Sequence, residues 1–395
     1  MLLSVALLDE LSSGVAPNGS PDLLHDFHVS PALAAAWTLV AMQLLGAVEA
    51  PLFALTARWP RRSLLAAAQL AVAATCLCAA NASSHWTLLL ALLVYGPATG
   101  IACGTAKAAL VDGAPADGEK VLSRWALYQS MGDLAAPLLL AGLALCGSGW
   151  RAAFVVAAAA ALSQAVLVRR GSPLPHRPLP APSEEARRPA RGSVRSAILW
   201  CGAGVLCTLM DEVLVSFGAL HLEALGATAV ERGVALAAGT SGAIGALLGA
   251  ERFASRLSGM RLLLVSSAAC AAVFGACLVT SSFPLGAALL ALTFAFAAPL
   301  HPVVSAKAFA ALPGRSTLVN VIDSSMATVE LLIPLLVGAI ADRYGIRAAL
   351  AAMILEPLAL FTVAAVALAG ERASAHRRGR ARSASRGGSP RRRGG

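Results

Sequence analysis

The 395-residue chain is poor in charged and aromatic side chains: Asp, Glu, Lys and Arg make up 13% of it, and Phe, Trp and Tyr 5%. Soluble domains carry about 25% charged residues, so the chain lacks the polar surface of a water-soluble fold. Its eight cysteines lack the paired spacing of a zinc site or a disulfide framework. The sequence also lacks a catalytic His/Cys/Asp constellation and a phosphate-binding loop, which argues against an enzyme. No cofactor or metal is expected.

Apolar residues are abundant instead, at 57% of the chain, and the mean hydropathy is +0.72. They form runs of about 20 residues, long enough for a helix to cross a hydrocarbon layer of ~30 Å. Alternating apolar and polar strands, as in a membrane barrel, are missing, so helices must be the spanning elements. The composition predicts an all-α, polytopic membrane protein.

Twelve apolar runs are separated by Gly, Pro, Ser or charged residues. They predict two groups of six transmembrane helices. The predicted spans are 1–16, 32–54, 63–80, 86–111, 121–146 and 150–168, then 196–220, 230–250, 261–280, 285–310, 317–340 and 346–369. The first run is short for a full span, so helix 1 either extends past Pro17 or begins before the present start.

The intervening segment 169–195 is rich in Pro, Arg and Ser and predicts a linker. The halves are then an N-terminal bundle at 1–168 and a C-terminal bundle at 196–370. The segment 371–395 holds nine arginines and predicts a disordered tail attracted to anionic lipid rather than to nucleic acid. With the N-terminus inside, the inner loops and tail hold 25 Lys and Arg residues and the outer loops four. This asymmetry predicts a cell-membrane protein with both termini cytoplasmic.

The two halves repeat rare charged residues in the same order. The acidic pair in "LLDELSSG" (7–14) returns 202 residues later in "LMDEVLVSFG" (209–218), and the lysine of "TAKAAL" (105–110) returns 200 residues later in "SAKAFA" (305–310). The stretch from "GDLAAPLLL" to "GSGWRAAF" (132–154) returns as "VELLIPLLV" to "RYGIRAAL" (329–350). This register predicts a duplicated six-helix unit whose copies are parallel repeats about an axis along the membrane normal.

With these features the whole chain resembles the major facilitator superfamily. The 6+6 arrangement, the long basic linker, "GSGWRAAF" before helix 6 and "GAIADRYGIRAAL" (338–350) before helix 12 are similar to that family. The family's loop pattern between helices 2 and 3 is degraded here to "FALTARWPRR" (53–62), without its Asp and glycines. The helix-4 arginine of proton antiporters is also missing, with Gly96 near its place, and the helix-5 antiporter pattern is partial, with Gly132 followed by Ala136-Pro137.

Ionisable residues inside the predicted helices are the candidate site residues. A charge at mid-bilayer costs about 2.5–3.5 kcal/mol, so it usually faces a cavity and finds a partner. The resemblance implies that helices 1, 4, 7 and 10 line a central cavity. The candidates for substrate binding or proton coupling are Asp9, Glu10, Lys107, Asp211, Glu212 and Lys307.

Alternatives stay open for these residues. Neighbouring helix positions point about 100° apart, so one acid of each pair is expected to face the cavity and the other a neighbouring helix, a polar backbone break or a lysine. The acids can instead hold helices together by hydrogen bonds, and the lysines can snorkel to the headgroups. Gating or inter-bundle roles are predicted for Glu49, Arg58, Asp133, Glu330, Asp342 and Arg343.

The sequence thus predicts a secondary transporter that moves a small organic solute by alternating access, with proton-coupled efflux favoured on the partial helix-5 pattern. One alternative is uptake or exchange of an organic anion, with Lys107 and Lys307 as counter-charges. Another is a non-transporting receptor or scaffold on the same fold. The expected partners are the solute, protons and the lipid bilayer; a monomer is expected, and nucleic acid is not.

Overall fold

A computed structural model describes residues 1–29, 31–44, 59–113, 118–171, 191–253, 258–312 and 329–369, together with positions 319, 322, 325 and 326. Over these ranges the chain is helical and contains no β-strand, which confirms the all-α prediction. Eight of the described helices are long and apolar enough to cross a membrane.

The helical elements are numbered α1 to α12 in chain order. Those of the first half are α1 (Leu3–Ser13, Val15–Asn18 and Ser20–Phe27), α2 (Pro31–Gln43), α3 (Arg61–Ala80), α4 (His85–Gly113), α5 (Gly118–Leu145) and α6 (Trp150–Arg170). Those of the second half are α7 (Arg191–Thr208, a π-helical turn at Leu209–Val213, and Leu214–Ala224), α8 (Ala229–Phe253), α9 (Gly259–Val279), α10 (Phe283–Ala297 and Leu300–Ala311), α11 (Leu332–Tyr344) and α12 (Ile346–Met353, then 355–369).

The first helix is longer than the predicted span 1–16. It continues to Phe27 through short interruptions at Gly14 and Gly19. Pro17 and Pro21 fall in the first turns of the two segments that follow these glycines. A proline in a first turn removes an N–H that has no intrahelical partner, so it does not end the helix. Of the two alternatives for this run, the helix that extends past Pro17 is therefore the one that the structure shows.

Two helices of the second half are interrupted near their middle. In α7 a π-helical turn occupies Leu209–Val213 and so contains both acids of the second pair. In α10 the helix breaks between Ala297 and Leu300 at Pro299. Their first-half counterparts differ: α1 is regular at its acidic pair, and α4 runs continuously through Pro97. The two copies of the repeat are thus similar in order but unequal in local geometry.

The two halves have largely separate apolar cores. Two core clusters contain only residues of α1 to α6, and they include the fully buried Leu65, Leu92 and Phe154. Two others contain only residues of the second half. The largest cluster joins the halves, because Ala35 and Ala36 of α2 pack with residues of α7, α8 and α11 such as Val337. The halves therefore meet over a limited region.

That region lies at the end of the molecule opposite the linker. There α2 packs on α11, and α5 packs on α8. At the α5–α8 crossing, a Cβ atom on Gly233 would lie 2.7 Å from the carbonyl oxygen of Pro137 and 2.8 Å from Ala141 Cβ. The halves are thus in close contact at this end, which is called the closed end below.

Several predicted features lie outside the described residues: Glu49, Arg58, most of the linker and the tail 371–395. Beside the linker, α6 extends to Arg170 and α7 begins at Arg191, so both helices reach further into the predicted segment 169–195 than expected.

Candidate functional site

A cavity of about 850 Å³ lies between the two halves. Residues of α1, α2, α4 and α5 line one side, and residues of α7, α8 and α10, with Glu330 and Leu331 just before α11, line the other. Its length runs from Pro17 and Asn18 near the closed end to Leu247 and Pro302 further toward the linker end. A volume of this size accommodates a drug-sized organic molecule.

The cavity lining is acidic. Six of the described lining residues carry a carboxyl group, one is a histidine, and none is Lys or Arg: Asp9, Glu10, Asp133, Asp211, Glu212, Glu330 and His301. Apolar side chains of α2, α8 and α10 form much of the remaining wall. When these carboxyl groups are ionised, a chamber of this composition favours positive over negative charge.

On the first-half side, the carboxylates of α1 are held by hydrogen bonds. Cys103 Sγ donates to Asp9 Oδ2 over 3.1 Å, and Gln129 Nε2 donates to Glu10 Oε1 over 2.7 Å. A further side-chain hydrogen bond connects the carboxyl groups of Glu10 and Asp133. Glu10 and Asp133 are both lining residues, so α1 and α5 present neighbouring carboxyl groups on this side of the cavity.

On the second-half side, the π-helical turn of α7 presents Asp211 and Glu212 to the cavity, where both side chains are exposed. Gln43 Nε2 of α2 donates a hydrogen bond to Glu212 Oε2 across the cavity. Behind the turn, the carboxylate of Glu356 is 1% exposed and accepts a 2.8 Å hydrogen bond from the backbone N–H of Met210. Glu356 therefore supports the backbone on which the two acids stand.

The structure brings all four duplicated acids to one cavity. The expectation that only one acid of each pair would face it is wrong, because both members of each pair are lining residues. A cavity that contacts a wide arc of α1 and α7 explains this, since neighbouring side chains about 100° apart can both reach it.

The two lysines are placed differently from the acids. Lys107 is exposed, and its Nζ lies 5.4 Å from the centre of the Trp125 ring, in a cation–π contact. Neither Lys107 nor Lys307 is among the described residues that line the cavity. Lys107 is close enough to Asp9 for an electrostatic interaction behind the lining, but the structure places neither lysine on the cavity wall beside the four acids.

The predicted gating residues divide in the same way. Asp133 and Glu330 line the cavity. Asp342 and Arg343 are exposed at the end of α11, where the guanidinium of Arg343 packs over the ring of Tyr344.

Ion pairs connect the two halves at the closed end. Arg232 of α8, which is 5% exposed, donates to Asp22 Oδ1 of α1 over 2.6 Å and lies 3.6 Å from Glu223 Oε1 of α7. His25 of α1 is 2.9 Å from the same Glu223 oxygen. These four residues, Asp22, His25, Glu223 and Arg232, are called the latch below. The sequence does not predict the latch, because Asp22 and His25 lie between the predicted spans 1–16 and 32–54.

A second polar cluster at that end lies within the first half. Trp150 Nε1 donates to Asp26 Oδ2 over 3.0 Å, and Arg151 Nη1 donates to the same oxygen over 2.8 Å. Arg151 also donates to the backbone oxygen of Ala82. This cluster gives the "GSGWRAAF" segment a structural role, since it ties the end of α1 to the start of α6.

The missing helix-4 arginine also has a structural explanation. At Gly96, which lines the cavity, a Cβ atom would overlap the backbone carbonyl of Met42 on α2. Only glycine allows so close an approach of two helices, so no larger side chain fits here.

Other lining residues were not predicted because their types are common in apolar helices. Tyr95, buried at 2%, shares a 2.6 Å hydrogen bond with Ser12 and connects α4 to α1. The lining residue Gln43, and Gln129, which donates to Glu10, give no signal in a hydropathy pattern because their amides are uncharged.

A helical membrane protein with a central acidic cavity between two similar halves, closed at one end, has the architecture of a solute transporter. The family model described as "Major Facilitator Superfamily" matches residues 2–298. The chain belongs to this superfamily, and it is a transporter by family and not an enzyme.

Solved structures with the same fold are distant in sequence. A bacterial homologue of the human lysosomal transporter Spinster, in an inward-facing and occupied conformation, matches with a TM-score of 0.73 and 16% identity, over 92% of this chain and 95% of that one. Its inward-facing, unoccupied form gives 0.69. The nucleoside transporter NupG, as a single-residue mutant, gives 0.72 and 12% identity, over 92% and 98% of the two chains. No curated protein sequence matches the chain significantly.

Proposed function

We propose that the chain is a secondary transporter that exports a small organic solute across the cell membrane in exchange for protons. In this mechanism two bundles, residues 1–168 and 196–370, rock about the central cavity and open it to one side at a time. The excess of basic residues in the linker and tail assigns the linker end to the cytoplasm, so the closed end faces outward.

The observation that carries this proposal is the placement of the four duplicated acids, Asp9, Glu10, Asp211 and Glu212, around one cavity. Carboxyl groups within a membrane mark ion pathways and proton relays, because they can bind and release a proton where most side chains cannot. Glu10 and Asp133 present neighbouring carboxyl groups on the first-half side. Each bundle thus contributes acids to the shared chamber.

Uptake of an organic anion is less well supported. It would need Lys107 and Lys307 as counter-charges in the cavity, and neither is among the described residues of its lining. Export rather than uptake is favoured by the partial helix-5 antiporter pattern, whose Gly132 lies at the crossing of α5 with α1.

The test uses the purified full chain in liposomes, with the membrane potential clamped and a pH gradient imposed. Tetraphenylphosphonium, uridine and benzoate serve as cationic, neutral and anionic probes. At least one probe should move faster with the gradient, and a protonophore should remove the acceleration. Asp211→Asn and Glu212→Gln should each reduce the gradient-driven flux at least tenfold.

Glu231→Gln is the matched control. Glu231 is exposed outside the cavity, and it accepts hydrogen bonds from the Thr228 backbone and hydroxyl in a capping box that Gln also satisfies. This variant should transport as the wild type does. Undiminished gradient-driven flux in both cavity variants would remove the proposed coupling role of α7.

A further inference from the structure

We infer that the cavity binds an apolar organic cation, with the positive charge on Asp211 and the apolar body against the second-half wall. This inference rests on the proposed function, since it names the substrate class of the same cavity. It follows from three independent features: the sign of the lining charges, the hydrogen-bonding state of the individual acids, and the apolar side chains around Asp211.

The first feature is charge. Six carboxyl groups face the cavity, and no Lys or Arg is found among its described lining residues. An anionic solute would enter a chamber of its own sign without a counter-charge, which is costly in a low-dielectric site. A cation, by contrast, brings a positive charge to a lining whose described residues include no Lys or Arg.

The second feature singles out one acid. Asp9 accepts from Cys103, Glu10 is hydrogen-bonded to Gln129 and Asp133, and Glu212 is hydrogen-bonded to Gln43. Asp211 stands deep between the halves with its side chain exposed to the cavity. Within the part of the chain that the structure describes, no hydrogen bond or ion pair joins it to another side chain. A lone carboxylate aimed into a cavity is the natural anchor for a cationic ligand.

The third feature is the wall beside this anchor. Val215 lies one turn after Asp211 on α7, and Leu236, Ile244 and Phe294 line the same side of the cavity from α8 and α10. Burying apolar ligand surface here contributes about 25 cal/mol per Å². A small hydrated cation gains little from such a wall, so the site favours cations that carry hydrocarbon or aromatic groups.

Equilibrium binding tests this assignment on the detergent-purified full chain with radiolabelled tetraphenylphosphonium. The wild type should bind it, tetramethylammonium should compete at least tenfold more weakly than unlabelled tetraphenylphosphonium, and uridine and benzoate should not compete. Asp211→Asn should weaken binding at least tenfold. Asp211→Glu, which restores the charge, should recover most of it, and this recovery excludes misfolding as the cause of the loss.

The possible failures are distinct from each other. Wild-type affinity in Asp211→Asn, or no tetraphenylphosphonium binding by the wild type, overturns the inference. If uridine or benzoate still shows gradient-driven flux in liposomes, the proposed function survives that failure. Conversely, binding that depends on Asp211 without gradient-driven flux of any probe supports the inference and overturns the proposed proton coupling.

Discussion

At the scale of single residues, the buried carboxylate of Glu356 stabilises a backbone turn by accepting a hydrogen bond from it. It is 1% exposed on α12, and it accepts the N–H of Met210 where the π-helical turn of α7 begins. A π turn leaves the regular i→i−4 pattern, so backbone groups at its edge need other partners. Glu356 supplies one, which fixes the segment that carries Asp211.

Two replacements of Glu356 distinguish the effect of its hydrogen bond to Met210 from the effect of its charge. Glu356→Gln keeps an oxygen acceptor and should leave thermal stability in detergent close to that of the wild type. Glu356→Leu leaves the Met210 N–H unsatisfied and should lower stability by about 1–3 kcal/mol. The thermal unfolding midpoints of the two variants give the comparison, and equal midpoints would show that the hydrogen bond is not needed.

At the scale of helices, glycines set how closely α1 approaches α5. A Cβ on Gly132 would overlap the carbonyl oxygen of Leu7 and lie 2.7 Å from Glu10 Cβ. The same crossing places Asp133, the next residue, beside the carboxyl group of Glu10. Close helix approach therefore makes the acid pair possible.

Gly132→Ala should destabilise the protein by about 1–3 kcal/mol, because overpacking outweighs the ~1 kcal/mol that Ala gains over Gly inside a helix. Gly142→Ala on the same helix is the matched control, since a Cβ there has no atom within 4 Å. The control should be neutral or slightly stabilised. Unfolding midpoints that shift in the same direction would contradict the packing argument.

The α5–α8 crossing at the closed end depends on Gly233 in a similar way. Gly233→Val should push these two helices apart, because even a Cβ would lie 2.7 Å from the Pro137 carbonyl oxygen. Spin labels at the exposed Leu145 and Leu285, in a cysteine-free background, report the separation of the halves. The variant should add a population at longer distance. Gly249→Val, also on α8 but with open space around it, should not.

At the scale of the whole molecule, the two halves are held together at one end and apart around the cavity. The latch contributes charge pairs to this closure, and Arg232 is its centre because it reaches both Asp22 and Glu223. Removing Arg232 leaves Asp22 and Glu223 without this positive partner, although water screens part of the loss because their side chains are 41% and 30% exposed. The closed arrangement should lose stability relative to the alternative in which the halves part here.

Arg232→Met should therefore increase the long-distance population between labels at Leu145 and Leu285. Arg151→Met is the control, because Arg151 pairs with Asp26 inside the first half and does not cross to the other. Identical distance distributions for the two variants would show that the latch does not hold the closed end.

The helical architecture and the candidate acids could be predicted from the sequence, because both depend on local chemistry. Runs of about 20 apolar residues have few alternatives in a bilayer, and a charge that recurs in register between two halves is rare enough to be informative. The family match confirms the superfamily assignment. The roles of Asp9, Glu10, Asp211 and Glu212 stay predictions.

What the sequence could not supply were features that depend on neighbours far along the chain. The π-helical turn of α7 is supported from α12, 146 residues away, and the Asp22–Arg232 pair spans 210 residues. The end of α1 was misplaced because Pro17 reads as a terminator unless the interruption at Gly14 is known. The location of Lys107 depended on Trp125 of another helix, which hydropathy does not report.

The excess of carboxyl groups over basic side chains around the cavity makes it costly for the molecule to close when nothing is bound. Closing the linker end would strip water from several carboxylates at once, and each ionised group without a positive partner costs several kcal/mol in a dry interior. Under the proposed function, a vacant carrier should therefore resist closure until protons or a cation neutralise these groups. We therefore expect the empty carrier to return slowly, so that exchange is favoured over one-way leakage.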